Sequence, residues 1–258
     1  MFAGDLTIND IEDKKFRTAY FPVAAFGQHG PHLPLTTDMI ITRAFADKIS
    51  AELDAFMLPV QPFATNYEHD GDNYGVGLDA DLLYEMVLDI ALELKRQGFT
   101  KLVIHQNSKG LISPLYSLTR HINAIADIKT VFLNPFDLLS KTQNILDTAD
   151  NYHAGEIETS LMLYLDESSV RKEKISGIDF APDVPVKYLN YKSIFELCPN
   201  GVWGYPSYAT KEKGGKLFET GIKLCVDFIS GAFQFMNDNG DYTGGREKDY
   251  LAELDKIN

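Results

Sequence analysis

The chain has 258 residues, 45% of them hydrophobic and 24% charged, which excludes a disordered or low-complexity protein. Its 24 basic and 37 acidic side chains leave a formal charge of −13, which disfavours nucleic acid and anionic membrane surfaces as partners and leaves small molecules. Two cysteines, Cys198 and Cys225, make no disulfide framework, and neither a signal-peptide pattern nor a membrane-length apolar run is present, so a reduced cytoplasmic protein is expected.

Residues Ala19–Phe26 (AYFPVAAF) read as a strand that stops at Gly27. A loop rich in Gly and Pro follows, and a helix is expected from Thr37 or Asp38, either of which can cap free N–H groups. Its apolar ladder of Ile41, Phe45, Ile49 and Leu53 buries one narrow face. Phe56–Phe63 reads as a second strand. Asp81–Gln97 reads as a helix with Leu82, Leu83, Met86, Val87, Ile90 and Leu94 on one face and Gly98 as its terminator. Strand Lys101–His105, helix Pro114–Ala126 and strand Lys129–Leu133 continue the alternation. A further helix is expected from Gly155 or Glu156 to Leu165, loops with room for a hairpin over 166–210, and a closing helix over Glu212–Gly231.

This alternation predicts an α/β fold, a layered sandwich with a mainly parallel sheet and helices on both faces. Residues 1–258 read as a single domain with a polar tail from about 238. In such sheets ligands sit at the carboxyl ends of the strands, which singles out loops 27–38 and 106–110.

The first of these loops carries His29, His32 and Asp38, an imidazole and carboxylate set suited to zinc or a similar ion. The bland reading is that the two histidines only tie the loop down through backbone hydrogen bonds. At the predicted helix entrance, His153, Glu156 and Glu158 could supply a proton carrier and a ligand, or the carboxylates could simply complement the helix dipole. Asp70-Gly71-Asp72-Asn73-Tyr74-Gly75 has some character of a calcium loop but lacks its closing glutamate, so a solvated loop is the better reading. No G-x-G-x-x-G, Walker lysine, Cys-x-x-Cys or G-x-S-x-G pattern occurs.

The segment from Phe21-Pro22-Val23 through Gln28-His29-Gly30-Pro31-His32-Leu33-Pro34-Leu35-Thr36-Thr37-Asp38 resembles the first signature of the creatininase (creatinine amidohydrolase) family. His153-Ala154-Gly155-Glu156-Ile157-Glu158-Thr159-Ser160 resembles a second. Weaker matches are Glu68-His69, strand Leu102-Val103-Ile104, and the stretch from Gly201-Val202-Trp203-Gly204 to Gly214. The resemblance implies a compact α/β layered fold, a homo-oligomer (trimer or hexamer), and a divalent-metal site that hydrolyses amide or cyclic amide bonds.

It also implies a metal cluster built from Glu-x-His and Asp in the first signature, with further ligands in an Asn-Gly-His segment after the third strand. Here His29 and Asp38 match, but the first glutamate is Gly27, the segment's histidine is Ser108, and a following glutamate is Gly110. The expectation is therefore at most a single ion, with zinc first and manganese or iron as alternatives, held by His29, Asp38 and Glu158. His105, His153 and Glu156 are the reserve ligands. His153 and Glu158 are expected to be catalytic, and Gln28, His32, Ser108 and Trp203 to face the substrate. Two other readings remain open: a silent relative that binds a ligand or partner in the old pocket, and a metal-free hydro-lyase or isomerase using His29, His32 and His153.

Overall fold

In chain order the elements are α1 (Ile8–Lys14), β1 (Thr18–Val23), β2 (Phe26–Gly27), α2 (Thr37–Glu52), β3 (Phe56–Met57), β4 (Gly75–Val76), α3 (Ala80–Arg96), β5 (Lys101–Gln106), α4 (Ile112–Ile125), β6 (Lys129–Leu133), α5 (Pro135–Leu139), α6 (Glu156–Leu165), α7 (Ile194–Leu197) and α8 (Lys211–Asp238), joined by short 3-10 turns. They come from a computed structural model that describes residues 1–69, 75–108, 112–139, 144–149 and 151–238. The calcium-like loop at 70–74, Gly110 and the polar tail lie outside the described residues.

The sheet is wholly parallel, in the order β3-β1-β5-β6. Alternation along each strand divides its side chains between two cores. Tyr20, Val103, Val131 and Leu133 pack on one face with Ile41, Phe45 and Ile49 of α2, Leu161 of α6 and Leu217 and Ile229 of α8. Ala19, Phe21, Leu102, Ile104 and Phe132 pack on the other with Leu83 and Val87 of α3 and Leu118 and Ile122 of α4. Both faces are covered, as the near-continuous apolar strands require. Among the described residues, no helix is long and apolar enough to cross a membrane.

Three local outcomes differ from the sequence reading. The first strand ends at Val23, and Phe26–Gly27 pairs separately and antiparallel with β4. The second strand shrinks to Phe56–Met57, because Pro59 and Pro62 interrupt the segment that follows with residues lacking an N–H. That early end explains Pro22 inside central β1: its backbone faces the edge where β3 has run out, and only the Gln61 N–H reaches its carbonyl, at 2.9 Å. The last helix runs on to Asp238, past Gly231. Gly214 is the glycine this helix needs, since a Cβ there would collide with the backbone of Ser160 on α6. That close crossing fixes α6, and α6 carries Glu158.

Candidate metal centre

The carboxyl end of the sheet brings together residues far apart in the chain. His29 follows β1 and β2, Asp38 sits in the first turn of α2, and Glu158 sits in the first turn of α6. Nε2 of His29 lies 3.6 Å from Oδ1 of Asp38 and 3.8 Å from Oε1 of Glu158. One donor atom from each residue falls within 4.8 Å of the other two, and all three side chains are buried. His29 Nδ1 donates to the Gly27 carbonyl at 3.1 Å, so Nε2 is the nitrogen turned toward the carboxylates.

Asp38 is not a helix cap. The N-cap is Thr36, with no side-chain bond of its own, while Thr37 Oγ1 donates to the Pro34 carbonyl at 2.6 Å. Among the described residues Oδ1 of Asp38 is buried and has no hydrogen-bond partner, a costly state for a carboxylate unless a cation sits beside it. Burial opposes a charge on His29, but Asp38 and Glu158 outweigh it and raise the imidazole to about 9. The cluster thus attracts positive charge. An imidazole nitrogen with two carboxylates, one of them unsatisfied, fits a small divalent cation.

The family model for creatininase, described as creatinine amidohydrolase, matches residues 4–229. The chain belongs to the creatininase family. It is 26% identical to the creatinine amidohydrolase of Pseudomonas putida over 259 residues, covering 90% of this chain and 97% of that one. It is also 26% identical to a mycofactocin precursor peptide peptidase of Mycobacterium tuberculosis, covering 80% of this chain and 81% of the relative. A mutant creatininase solved in a Zn–Zn form superposes with a TM-score of 0.75 at 24% identity, covering 90% of this chain and 98% of that one. A manganese form superposes with the same figures. The expected α/β fold and the family are therefore both found, and the chain is a member of a family of amidohydrolases.

Within this creatininase-like pocket, Gly27 and Ser108 line the wall beside the cluster. Neither supplies a ligand: Ser108 Oγ instead donates to Glu68 at 3.3 Å. His153 lies against His29, with ring centroids 4.5 Å apart, and its Nδ1 donates to the Gly201 carbonyl at 2.9 Å. Its loop is pinned by backbone bonds in both directions with Trp203 and turns on Ala154, which has a positive φ of 52°. The Ala154 N–H donates to Oε2 of Glu158, so that carboxylate also anchors the histidine's loop. Glu158 does not project into solvent as a mere dipole complement.

Several residues assigned to the site by the sequence do other work. Gln28, His32 and Trp203, expected to face the substrate, stand outside the pocket lining. The Gln28 amide is spent on Gly30, Gly201 and His69. His32 Nε2 bonds Thr159 Oγ1 at 2.8 Å, and Trp203 packs in a small core with Ile194 and Cys198. His105 is buried, with Nε2 bonded to Asn107 Oδ1 at 2.8 Å, and Glu156 is bound by Lys213 and by the Asp147 and Thr148 amides; among the described residues neither joins the His29, Asp38 and Glu158 cluster. Conversely, Asn66, Glu68, His69, Tyr152, Leu189 and Ile194 line the pocket without having been assigned to it. The pair Glu68-His69 was visible only as a weak family match, and Leu189 and Ile194 come from a 3-10 turn and the four-residue α7, both too short for a periodic signal.

Proposed function

We propose that this creatininase-family chain is a metal-dependent hydrolase that cleaves a C–N bond, amide or cyclic amide, in a small polar substrate. The observation carrying this reading is the convergence of His29 Nε2, Asp38 Oδ1 and Glu158 Oε1 in one buried cluster. These three residues would hold a single divalent ion, with zinc first and manganese or iron as alternatives; the Zn–Zn and manganese forms of related creatininases support that choice. When bound, such an ion supplies Lewis-acid polarisation of a carbonyl and lowers the pKa of a coordinated water toward ~7.

The chain's own residues supply the rest. His29 is oriented by the Gly27 carbonyl. Glu158 uses one oxygen toward His29 and the other on the Ala154 amide, tying the cluster to the loop that carries the proton donor. His153, with its proton on Nδ1 held by Gly201, has Nε2 as the nitrogen that takes up a proton and passes it to the leaving nitrogen. His29, Asp38 and Glu158 are buried, and burial makes the interactions within the cluster stronger than in water.

Elemental analysis of protein purified without added ions, paired with an amide-hydrolysis panel before and after chelation, tests the reading. The expected result is hydrolysis that is lost on chelation and regained with zinc. A stable protein that retains no ion and hydrolyses nothing under either condition would favour the silent, ligand-binding relative, for which the replacements at Gly27 and Ser108 speak.

A further inference from the structure

We propose that His69 is a fixed hydrogen-bond donor to the acyl oxygen of the ligand in this pocket, and that Gln28 is the positioning residue that fixes it. The inference rests on the metal-dependent reading above and adds to it a residue with no role so far.

The Gly30 N–H donates to Gln28 Oε1 at 2.7 Å, which sets the orientation of that amide. Gln28 Nε2 then faces two atoms, the Gly201 carbonyl and His69 Nδ1, each at 3.2 Å. The Gly201 oxygen can only accept, so an N–H2 group must stand opposite it; the reversed amide would set oxygen against oxygen. His69 Nδ1 therefore accepts from the same group. A neutral imidazole has one ring proton, and here that proton must lie on Nε2.

Nε2 of His69 has no hydrogen-bond partner among the described residues, and it is not sealed from the pocket that the ring lines. Burial, aided by the charge on His29, lowers His69 to about 4, so the ring stays neutral at physiological pH. Its neighbour His153, with ring centroids 5.1 Å away, has the opposite arrangement, since its Nδ1 donates to the same Gly201 carbonyl. One backbone oxygen thus assigns complementary tautomers: His153 keeps Nε2, buried beside His29, as an acceptor, and His69 carries its proton on Nε2. Gly201 has φ of 72° and approaches Gln28 so closely that a Cβ could not be fitted, so a side chain at this position would break the arrangement. Cleavage of a C–N bond needs both roles, a fixed donor where charge develops on the acyl oxygen and a proton carrier at the nitrogen.

The test uses the full chain loaded with zinc, histidine labelled with 15N, and acetohydroxamate as a carbonyl-bearing probe. The His69 signals, identified by their loss in His69→Gln, should report the Nε2–H tautomer and move when the probe is added. His69→Phe should weaken probe binding about tenfold, the scale of one well-placed hydrogen bond. His69→Gln, whose amide N–H reaches close to the Nε2 position, should recover most of it, and Gln28→Leu should leave His69 a mixture of tautomers. Zinc content should be unchanged in all three variants. An Nδ1–H tautomer in the wild type, unmoved signals at saturating probe, or equal probe affinity in His69→Phe would overturn the proposal. Should His69→Phe fail to fold, the wild-type spectra and Gln28→Leu still decide it. Failure of the metal reading is seen separately, as wild-type protein that retains no zinc, and the acyl-oxygen role falls with it.

Discussion

His153 Nδ1 lies 2.9 Å from the carbonyl oxygen of Gly201, an atom that can only accept. The proton on Nδ1 is thereby fixed, and Nε2 becomes the nitrogen that can exchange protons with a substrate. Replacing His153 with Gln should lower kcat on any amide the wild type hydrolyses by ~10²–10⁴, the usual weight of general acid–base catalysis. Zinc content should stay the same. Steady-state kinetics read beside elemental analysis check this, and loss of the metal along with activity would instead make His153 a ligand.

The buried trio predicts the metal count. Gly27 and Ser108 supply no ligand to the pocket they line, so no more than one tightly bound divalent ion per chain is expected. Asp38→Asn and Glu158→Gln should each weaken its affinity by more than the ~10–100-fold typical of losing an outer-shell partner. Competition with a fluorescent chelator measures both. Two ions per chain that leave together on chelation would mean that other side chains have rebuilt the cluster.

A second ion should be recoverable by substitution. Gly27 does not have a left-handed backbone, and a Cβ there would meet only the Asn66 side chain, at 3.1 Å. Ser108 opens on the same pocket. The double variant Gly27→Glu with Ser108→His should therefore fold and bind a second divalent ion with a small displacement of Asn66. Normal folding with unchanged stoichiometry would show that the vacant positions no longer point at a common centre.

The sequence held the layered architecture because strands and helices alternate with clear periods, and Lys129–Leu133 is found as read. It held the proximity of His29, Asp38 and Glu158 because both signatures are local, even though neither helix start carries a side-chain cap. It did not separate a pocket residue from a loop tie. Gln28 and His32 lie in the same signature as His29, yet their side chains turn to Gly201 and Thr159, an outcome set by contacts across the fold. Nor did it assign Leu189 and Ile194, since packing, with no local period, brings that 3-10 turn and the short α7 to the pocket wall.

Buried histidines set the pH profile of stability. Burial holds His32, His69 and His105 each at about 4, below the 6.5 of the unfolded chain. As pH falls from 6.5 toward 4 the unfolded state takes protons that the folded state refuses, so stability declines by up to ~1.4 kcal/mol per pH unit for each ring. His29 works in the opposite sense. At about 9 in the metal-free protein, its stabilisation is complete below 6.5 and is lost as pH rises through 9. The metal-free protein should therefore be most stable near 6.5, and a zinc ion, by replacing that proton, should remove the alkaline decline. Urea unfolding at about pH 5, 6.5 and 8.5, with and without zinc, measures it; a flat metal-free profile would contradict the buried neutral rings.

Buried Glu156 and half-buried Lys213 form a charge pair that supports the His153 loop without entering the pocket. The Glu156 carboxylate accepts from the Asp147 and Thr148 amides at 3.0 and 2.9 Å and from Thr148 Oγ1 at 2.7 Å, and Lys213 reaches it from α8. Lys213 also bonds Asp147 and the Tyr208 carbonyl, so a single ammonium joins α8 to the chain on both sides of the site. Lys213→Met keeps the aliphatic stem and strands a buried carboxylate, a change that costs about 3 kcal/mol or more when such a pair is broken. Lys213→Met with Glu156→Gln removes the stranded charge and should regain a large part of that loss. Chemical denaturation of the two variants beside the wild type reads the difference. Equal stability of the single and double variants would mean that Lys213 acts through Asp147 and Tyr208 alone, with Glu156 held sufficiently by its backbone donors.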